Sequence, residues 1–279
     1  MTRLPLVLSL CACFFLAWPA RASADPVAAT VISMEGTVSY DEEGALKPVE
    51  LGQLLGEGDR VVTADDSTLH LVLPDGSSLV LAANSEVTLR NLGSGAPASH
   101  TLLSVLKGLV NLMVEKQGEG SSFEVETGNA VAAVKGTDFE VSADTDNTQV
   151  TVNEGEVHLG DPDRKRFEPI HPLESSRLFN GRLEHANALG KRDIDAFRAR
   201  WQRAHMIHQQ RGELLKAFRK QGRRQRQAFR ARHARRQQWL QKHPLAASRA
   251  RPGLEKKGEW KKKHRIIDQR RKKEDANGG

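Results

Sequence analysis

The sequence predicts a mainly β domain, a compact curled sandwich or solenoid-like roll, followed by a long basic α-helix and a disordered tail. Three observations carry this reading. Short runs alternate apolar and polar residues up to about residue 187. Glycine, proline, asparagine and aspartate punctuate those runs in the order that tight turns require. From residue 193 the apolar spacing changes to three and four, and the charge changes sign.

Residues 1–24 read as a cleavable export signal. Arg3 gives a positive start, Leu4 to Trp18 are mostly apolar, and Ala22 and Ala24 in "ARASADP" fit signal-peptidase spacing. That stretch is short for a membrane span, and no later segment approaches roughly 18 apolar residues. The expected location is the periplasm. "LCAC" offers lipoprotein processing at Cys13 as the alternative. Both cysteines, Cys11 and Cys13, lie inside the signal, so the exported chain is expected to fold without disulfides or thiol chemistry.

The charge is divided. Residues 25–187 carry 27 Asp and Glu against 11 Lys and Arg, a net of −16, whereas residues 188–279 carry 8 against 29, a net of +21. The expected organisation is therefore a signal (1–24), an acidic all-β domain (25–187), a basic amphipathic helical region (188–243) and a disordered polybasic tail (244–279).

Within the β domain, Leu69, Leu71 and Leu73 share one strand face, as do Leu79 and Leu81. Pro74-Asp75-Gly76 between them is a turn, and Asn180-Gly181 marks another hairpin. "TLLSVLKGLVNLM" comes nearest to a helix, but its glycine and β-branched residues favour a strand. Gly-x-Val recurs at Gly36, Gly108 and Gly155, each beside a strand, where glycine marks a bend or a close backbone passage. In "NAVAAVKGTDFEV", Val131 and Val134 lie in a buried strand and Gly136 permits a bend. Thr137 can satisfy a backbone group there, and Phe139 and Val141 return to the core. The expected fold-determining residues are Gly36, Gly58, Asp59, Asp75, Gly76, Gly108, Gly136, Thr137, Phe139 and Gly155.

Four segments in order, "LGEGDRVVTADDSTLHLVLPDGSSLVLAANSEVTL", "LKGLVNLMV", "FEVETGNAVAAVKGTDFEV" and "VTVNEGEVHL", resemble the FecR domain over about residues 30–160. The best known members of that family are envelope regulators of iron-siderophore uptake in Gram-negative bacteria. The resemblance implies an all-β periplasmic protein-binding domain without catalysis. This chain departs from the family's regulators, which place a cytoplasmic sigma-factor-binding segment and a membrane helix ahead of the periplasmic domain. Here an export signal precedes the β domain, and a basic helical region stands where a receptor-docking domain often follows.

No catalytic or phosphate-binding motif emerges. Asp59, Asp65, Asp66 and Asp75 lack the tight alternating spacing of a calcium loop and read as turn residues. His205 and His208 share a helix face without a third metal ligand at suitable spacing. The expectation is a protein with no enzyme activity, no metal and no cofactor.

Ile194, Phe197, Trp201, Ala204, His208, Leu215, Phe218 and Phe229 form one helical stripe, with Asp193 as the expected cap. A single helix of about 50 residues would reach about 75 Å, and Gly212 or Gly222 could kink it or fold it into a hairpin. The stripe suits packing on the β domain, pairing with another helix, or lying on an anionic surface. Between Glu213 and Glu255 stand 13 Lys and Arg with no acidic residue. Such a run repels itself unless something neutralises it. The candidate contacts for an anionic surface are Arg219, Lys220, Arg223, Arg224, Arg226, Arg230, Arg232, Arg235 and Arg236. The neutralising partner could be the acidic β domain or an anionic envelope polymer or lipid. Nucleic acid matches the charge, but export argues against it. The leading expectation is a FecR-type module that binds a periplasmic protein and is tethered by its basic region. The alternative is a structural polyanion-binding envelope protein with the β domain as scaffold.

Overall fold

The computed structural model describes residues 27–42, 44–93 and 98–243. The export signal and the polybasic tail expected from the sequence lie outside these residues. Among the described residues, eighteen strands form two sheets that share one strand, and two helices follow.

The first sheet runs from β4 (Leu54–Gly56) through β1 (Ala28–Glu35), β6 (Thr68–Val72) and β7 (Ser78–Leu81) to the second half of β9 (His100–Met113). It continues through β12 (Asp138–Ala143), β13 (Asn147–Glu154) and β16 (Glu174–Phe179), with β17 (Arg182–Leu183) and β18 (Asn187–Ala188) on its far side. The second sheet runs from β3 (Ala45–Pro48) through β2 (Val38–Glu42), β5 (Arg60–Thr63) and β8 (Glu86–Leu92) to the first half of β9. Beyond β9 come β10 (Ser122–Glu126), β11 (Val131–Val134), β14 (Val157–Gly160) and β15 (Phe167–Ile170). The β9–β10 pair is parallel and the other pairs are antiparallel.

β9 is the corner of the sandwich. Up to Lys107 it pairs with β8 in the second sheet, and from Gly108 it pairs with β12 in the first. Gly108 sits at φ +98°, and a side chain there would run into Ser85. Only glycine lets one strand turn between two sheets at this point.

The inner faces follow the period-two pattern. Leu69, Leu71, Leu79, Leu81, Val110, Leu112, Phe139 and Val141 of the first sheet meet Val61, Val87, Leu89, Leu103, Val105, Phe123 and Val125 of the second. The PDG and NG hairpins form where the sequence places them, between β6 and β7 and between β16 and β17.

β7 does not alternate; all four of its residues are buried. The cause is α1 (Lys191–Gln221), which covers the outer face of the first sheet. Phe197, Trp201 and Ala204 pack there on Val80 and Met113, whose chain neighbours Leu79 and Leu112 point the other way into the core. The helix begins two residues ahead of the expected cap, so Asp193 lies in its first turn. Gly222 separates α1 from α2 (Arg223–Lys242), while Gly212 remains inside α1. Every residue of the expected stripe, from Ile194 to Phe229, is buried or half-buried. No helix among the described residues is long and apolar enough to cross a membrane.

Candidate binding site: an arginine socket on the β domain

Most of the residues expected to determine the fold fall into one repeated construction. Asp66-Ser67, Gly76-Ser77, Asn84-Ser85 and Gly136-Thr137 each place a positive-φ residue before a buried hydroxyl. Ser67 Oγ accepts the Thr37 N–H at 2.9 Å, Ser77 Oγ that of Glu115 at 3.0 Å, and Ser85 Oγ that of Leu109 at 3.1 Å. Thr137 Oγ1 donates to the Glu156 carbonyl at 3.1 Å. Thr37, Leu109 and Glu156 are the middle residues of the three Gly-x-Val triplets. A side chain on Gly36 or Gly108 would collide with Ser67 or Ser85, and a Cβ on Gly155 would come within 2.7 Å of the Gly136 carbonyl. The glycine makes room and the hydroxyl satisfies the backbone exposed by the bend. Phe139 is fully buried in the core, and Asp75 caps its own turn by accepting the Ser77 N–H at 3.0 Å. Ser67, Ser77 and Ser85 escaped the sequence reading. Their only local signal is a small polar residue recurring between a turn residue and an apolar strand.

Gly58 and Asp59 belong to a different structure. In "GQLLGEGD" (residues 52–59) the backbone curls so that the Asp59 carboxylate, 6% exposed, accepts the Gly56 N–H at 2.8 Å. The other occupants come from α2. Arg232 Nη2 donates to Asp59 Oδ2 at 3.0 Å and to the Leu54 carbonyl at 2.6 Å, and its guanidinium lies 4.8 Å from the centre of the Tyr40 ring. Arg236 donates to Asp59 Oδ1 at 2.7 Å and to the Gly58 carbonyl at 2.5 Å. Burial pushes the Asp59 carboxyl above its ordinary value, while Arg232, the Gly56 N–H and Arg236 pull it back.

The glycines are the walls of this socket. A Cβ on Gly56 would lie 2.9 Å from the Phe229 ring, and one on Gly58 would strike the Arg236 guanidinium. Gly52 leaves the same kind of space for Phe218 of α1. Phe229, Arg232 and Arg236 stand at i, i+3 and i+7, so they share the docked face of α2. Carboxylate, carbonyls, aromatic ring and glycine hollow together form a site for guanidinium groups and an adjacent ring.

Residues 59–158 match the family described as FecR protein. No curated protein matches the chain. Two crystal structures of a Parabacteroides distasonis protein, described as a "putative anti-sigma factor", align at 21% identity and a TM-score of 0.42. Each alignment covers 50% of this chain and 63% of the solved chain.

The FecR segment runs from Asp59 in the socket to His158 in β14 and includes all four hydroxyl turns. β1 to β4 and both helices lie outside it.

Beside the apolar contacts under α1, the helices meet the β domain through opposite charges. Arg200 of α1 grips the nearly buried Glu140 with two hydrogen bonds, at 2.9 and 3.0 Å. Arg203 pairs with Glu35, Arg211 with Glu115, and Arg235 with Glu42. His208 is hydrogen-bonded to Ser78 at 2.6 Å, and burial holds its pKa down at about 4.

The candidate surface contacts therefore divide. Arg232 and Arg236 point inward onto Asp59, and Arg235 reaches Glu42. Arg223, Arg224 and Arg226 are exposed and, among the described residues, meet no carboxylate. Arg230 is also exposed. Arg219 and Lys220 stand in the last turn of α1, and their side chains lie outside those described. The charge split seen in the sequence is thus partly answered within one molecule.

Proposed function

We propose that this chain is a non-enzymatic, FecR-type protein-binding module of the periplasm, whose basic helical region tethers it to a partner or to an anionic envelope surface. The FecR match over residues 59–158 supports the module, and the export signal read in the sequence supports the location. The observation that carries the tether is that only some arginines of α2 are used in docking. α2 is docked through Phe229, Arg232 and Arg236, while Arg223, Arg224 and Arg226 are exposed and meet no carboxylate among the described residues. Those exposed arginines also favour the alternative reading, a structural polyanion binder, because they attract any dense array of anions.

Sedimentation with vesicles tests the tether. Residues 25–279 are mixed with phosphatidylglycerol-rich vesicles and, separately, with phosphatidylcholine vesicles. Binding is expected on the anionic vesicles alone and should be mostly lost near about 0.5 M salt, because long-range attraction is screened. Substituting R223E, R224E and R226E together should weaken it by about tenfold or more at low salt. Equal binding by the variant, or no binding at low salt, removes the tether and leaves the protein-binding module.

A further inference from the structure

We propose that the Asp59 socket is an exchange site on the β domain, and that a partner's amphipathic helix bearing an aromatic residue at i and arginines at i+3 and i+7 can replace α2 in it. This rests on the reading of the β domain as a protein-binding module and names the chemistry of its partner.

Four observations carry it. The receiving groups all come from the β domain: the Asp59 carboxylate, the Leu54 and Gly58 carbonyls, the Tyr40 ring and the hollows at Gly56 and Gly58. The occupant is supplied by a helix outside the FecR segment, whereas Asp59 is the first residue of that segment. The β-sandwich core contains no α2 side chain, so emptying the socket leaves that core intact. Finally, α2 joins α1 through Gly222 alone, at φ −80° and ψ 5°, with no side-chain cap holding the junction. Changing the backbone at one residue lets α2 leave while both helices persist. The attachment is one aromatic ring and a set of ion pairs, a combination in which charge complementarity selects the partner. The β domain, with its net charge of −16, favours a cationic helix over any other.

The test uses the chain of residues 25–279 and, as probe, a fluorescein-labelled synthetic peptide of residues 223–243 with blocked ends. In one chain F229A, R232A and R236A together vacate the socket, and fluorescence anisotropy follows peptide binding. Saturable 1:1 binding is expected, about tenfold or more tighter than to the wild-type chain, in which α2 competes. Adding D59N to the vacated chain should weaken binding by about tenfold or more, as should R232A and R236A in the peptide. Circular dichroism checks the fold. If the triple variant is unfolded, R236A alone half-empties the socket, and the same D59N comparison decides.

Equal binding to wild-type and vacated chains, or indifference to D59N, overturns the proposal. So does a wild-type chain that dimerises through Asp59 at these concentrations, since the socket would then serve a second copy. The peptide replaces both the unidentified partner and the vesicles, so failure here leaves the protein-binding reading standing. Failure of the vesicle experiment, in turn, does not involve Asp59.

Discussion

Gly136 sits at φ +135°, and a Cβ built on it would lie 2.9 Å from the Cα of Lys116 and 3.4 Å from its nitrogen. Backbone cannot move aside as a flexible side chain can. Gly136→Val should therefore cost about 2–4 kcal/mol, through backbone strain and collision together. Gly118 is the control, because no atom stands within 4 Å of its Cβ position and its φ is ordinary. Urea unfolding of the two variants should separate them, with G118A close to wild type. A G136V midpoint that barely moves would mean that the bend tolerates a side chain. The same residue anchors the Gly155 turn, since the Gly136 carbonyl occupies the space that a Gly155 side chain would need. One substitution should thus disturb two of the recurring turns.

At the scale of elements, the attachment of α1 should be sensitive to acid. His70 lies buried on the outer face of the first sheet, and burial, with Arg203 adding to it, holds its pKa at about 4. His208 is held at about 4 by burial first, then by Arg211 and His205. An unfolded histidine takes a proton near pH 6.5, so the unfolded chain binds protons that the folded one refuses. Stability from these two residues is full above pH 6.5 and is lost as pH falls toward 4. Asp138 runs the other way. Burial and then Glu154 raise it to about 6, so its contribution is full below 3.8 and is lost as pH rises through about 6. Two histidines outweigh one half-exposed carboxylate, and His208 belongs to the helix itself. α1 should therefore loosen before the sandwich does. In residues 25–279 carrying W239F and W260F, the Trp201 emission should shift to the red between pH 6.5 and 4 while the β circular dichroism persists. Simultaneous loss of both signals would show that helix and sandwich form one cooperative unit.

For the molecule as a whole, two apolar clusters divide the labour. The sandwich core is built entirely from residues ahead of the helices, and the cluster under α1 is small. Residues 25–187 should then fold alone with a cooperative melt, at reduced stability because Val80 and Met113 lose their cover. Asp59 gives this a quantitative signature. In the full chain it is buried against two guanidinium groups, so D59N should cost about 1–3 kcal/mol. Without α2 the carboxylate meets water, and the same change should cost well under about 1 kcal/mol. Urea midpoints of the four proteins measure the coupling. A cost that is the same with and without the helices would mean that Asp59 acts only through the Gly56 N–H.

The sequence alone determined what is periodic or local. Leu69, Leu71, Leu79 and Leu81 declared their faces by alternation, PDG and NG declared hairpins by turn chemistry, and Ile194 to Phe229 declared an apolar stripe by helical spacing, though not what it meets. Gly136 was legible as a bend because glycine between an apolar strand and Thr137 has few other uses. Only the tertiary structure could decide which arginine meets which acid. Arg232 and Arg236 look like every other arginine in their run, yet they close on Asp59, 173 and 177 residues away. Gly58 was legible only as a fold-determining glycine, and the role of Gly56 and Gly58 as hollows for Phe229 and Arg236 exists only once α2 lies across them. Ser67, Ser77 and Ser85 were likewise silent, since a buried hydroxyl is identified by the backbone group it satisfies. Periodicity reports which side of an element is buried, whereas a partner is chosen by the path of the whole chain.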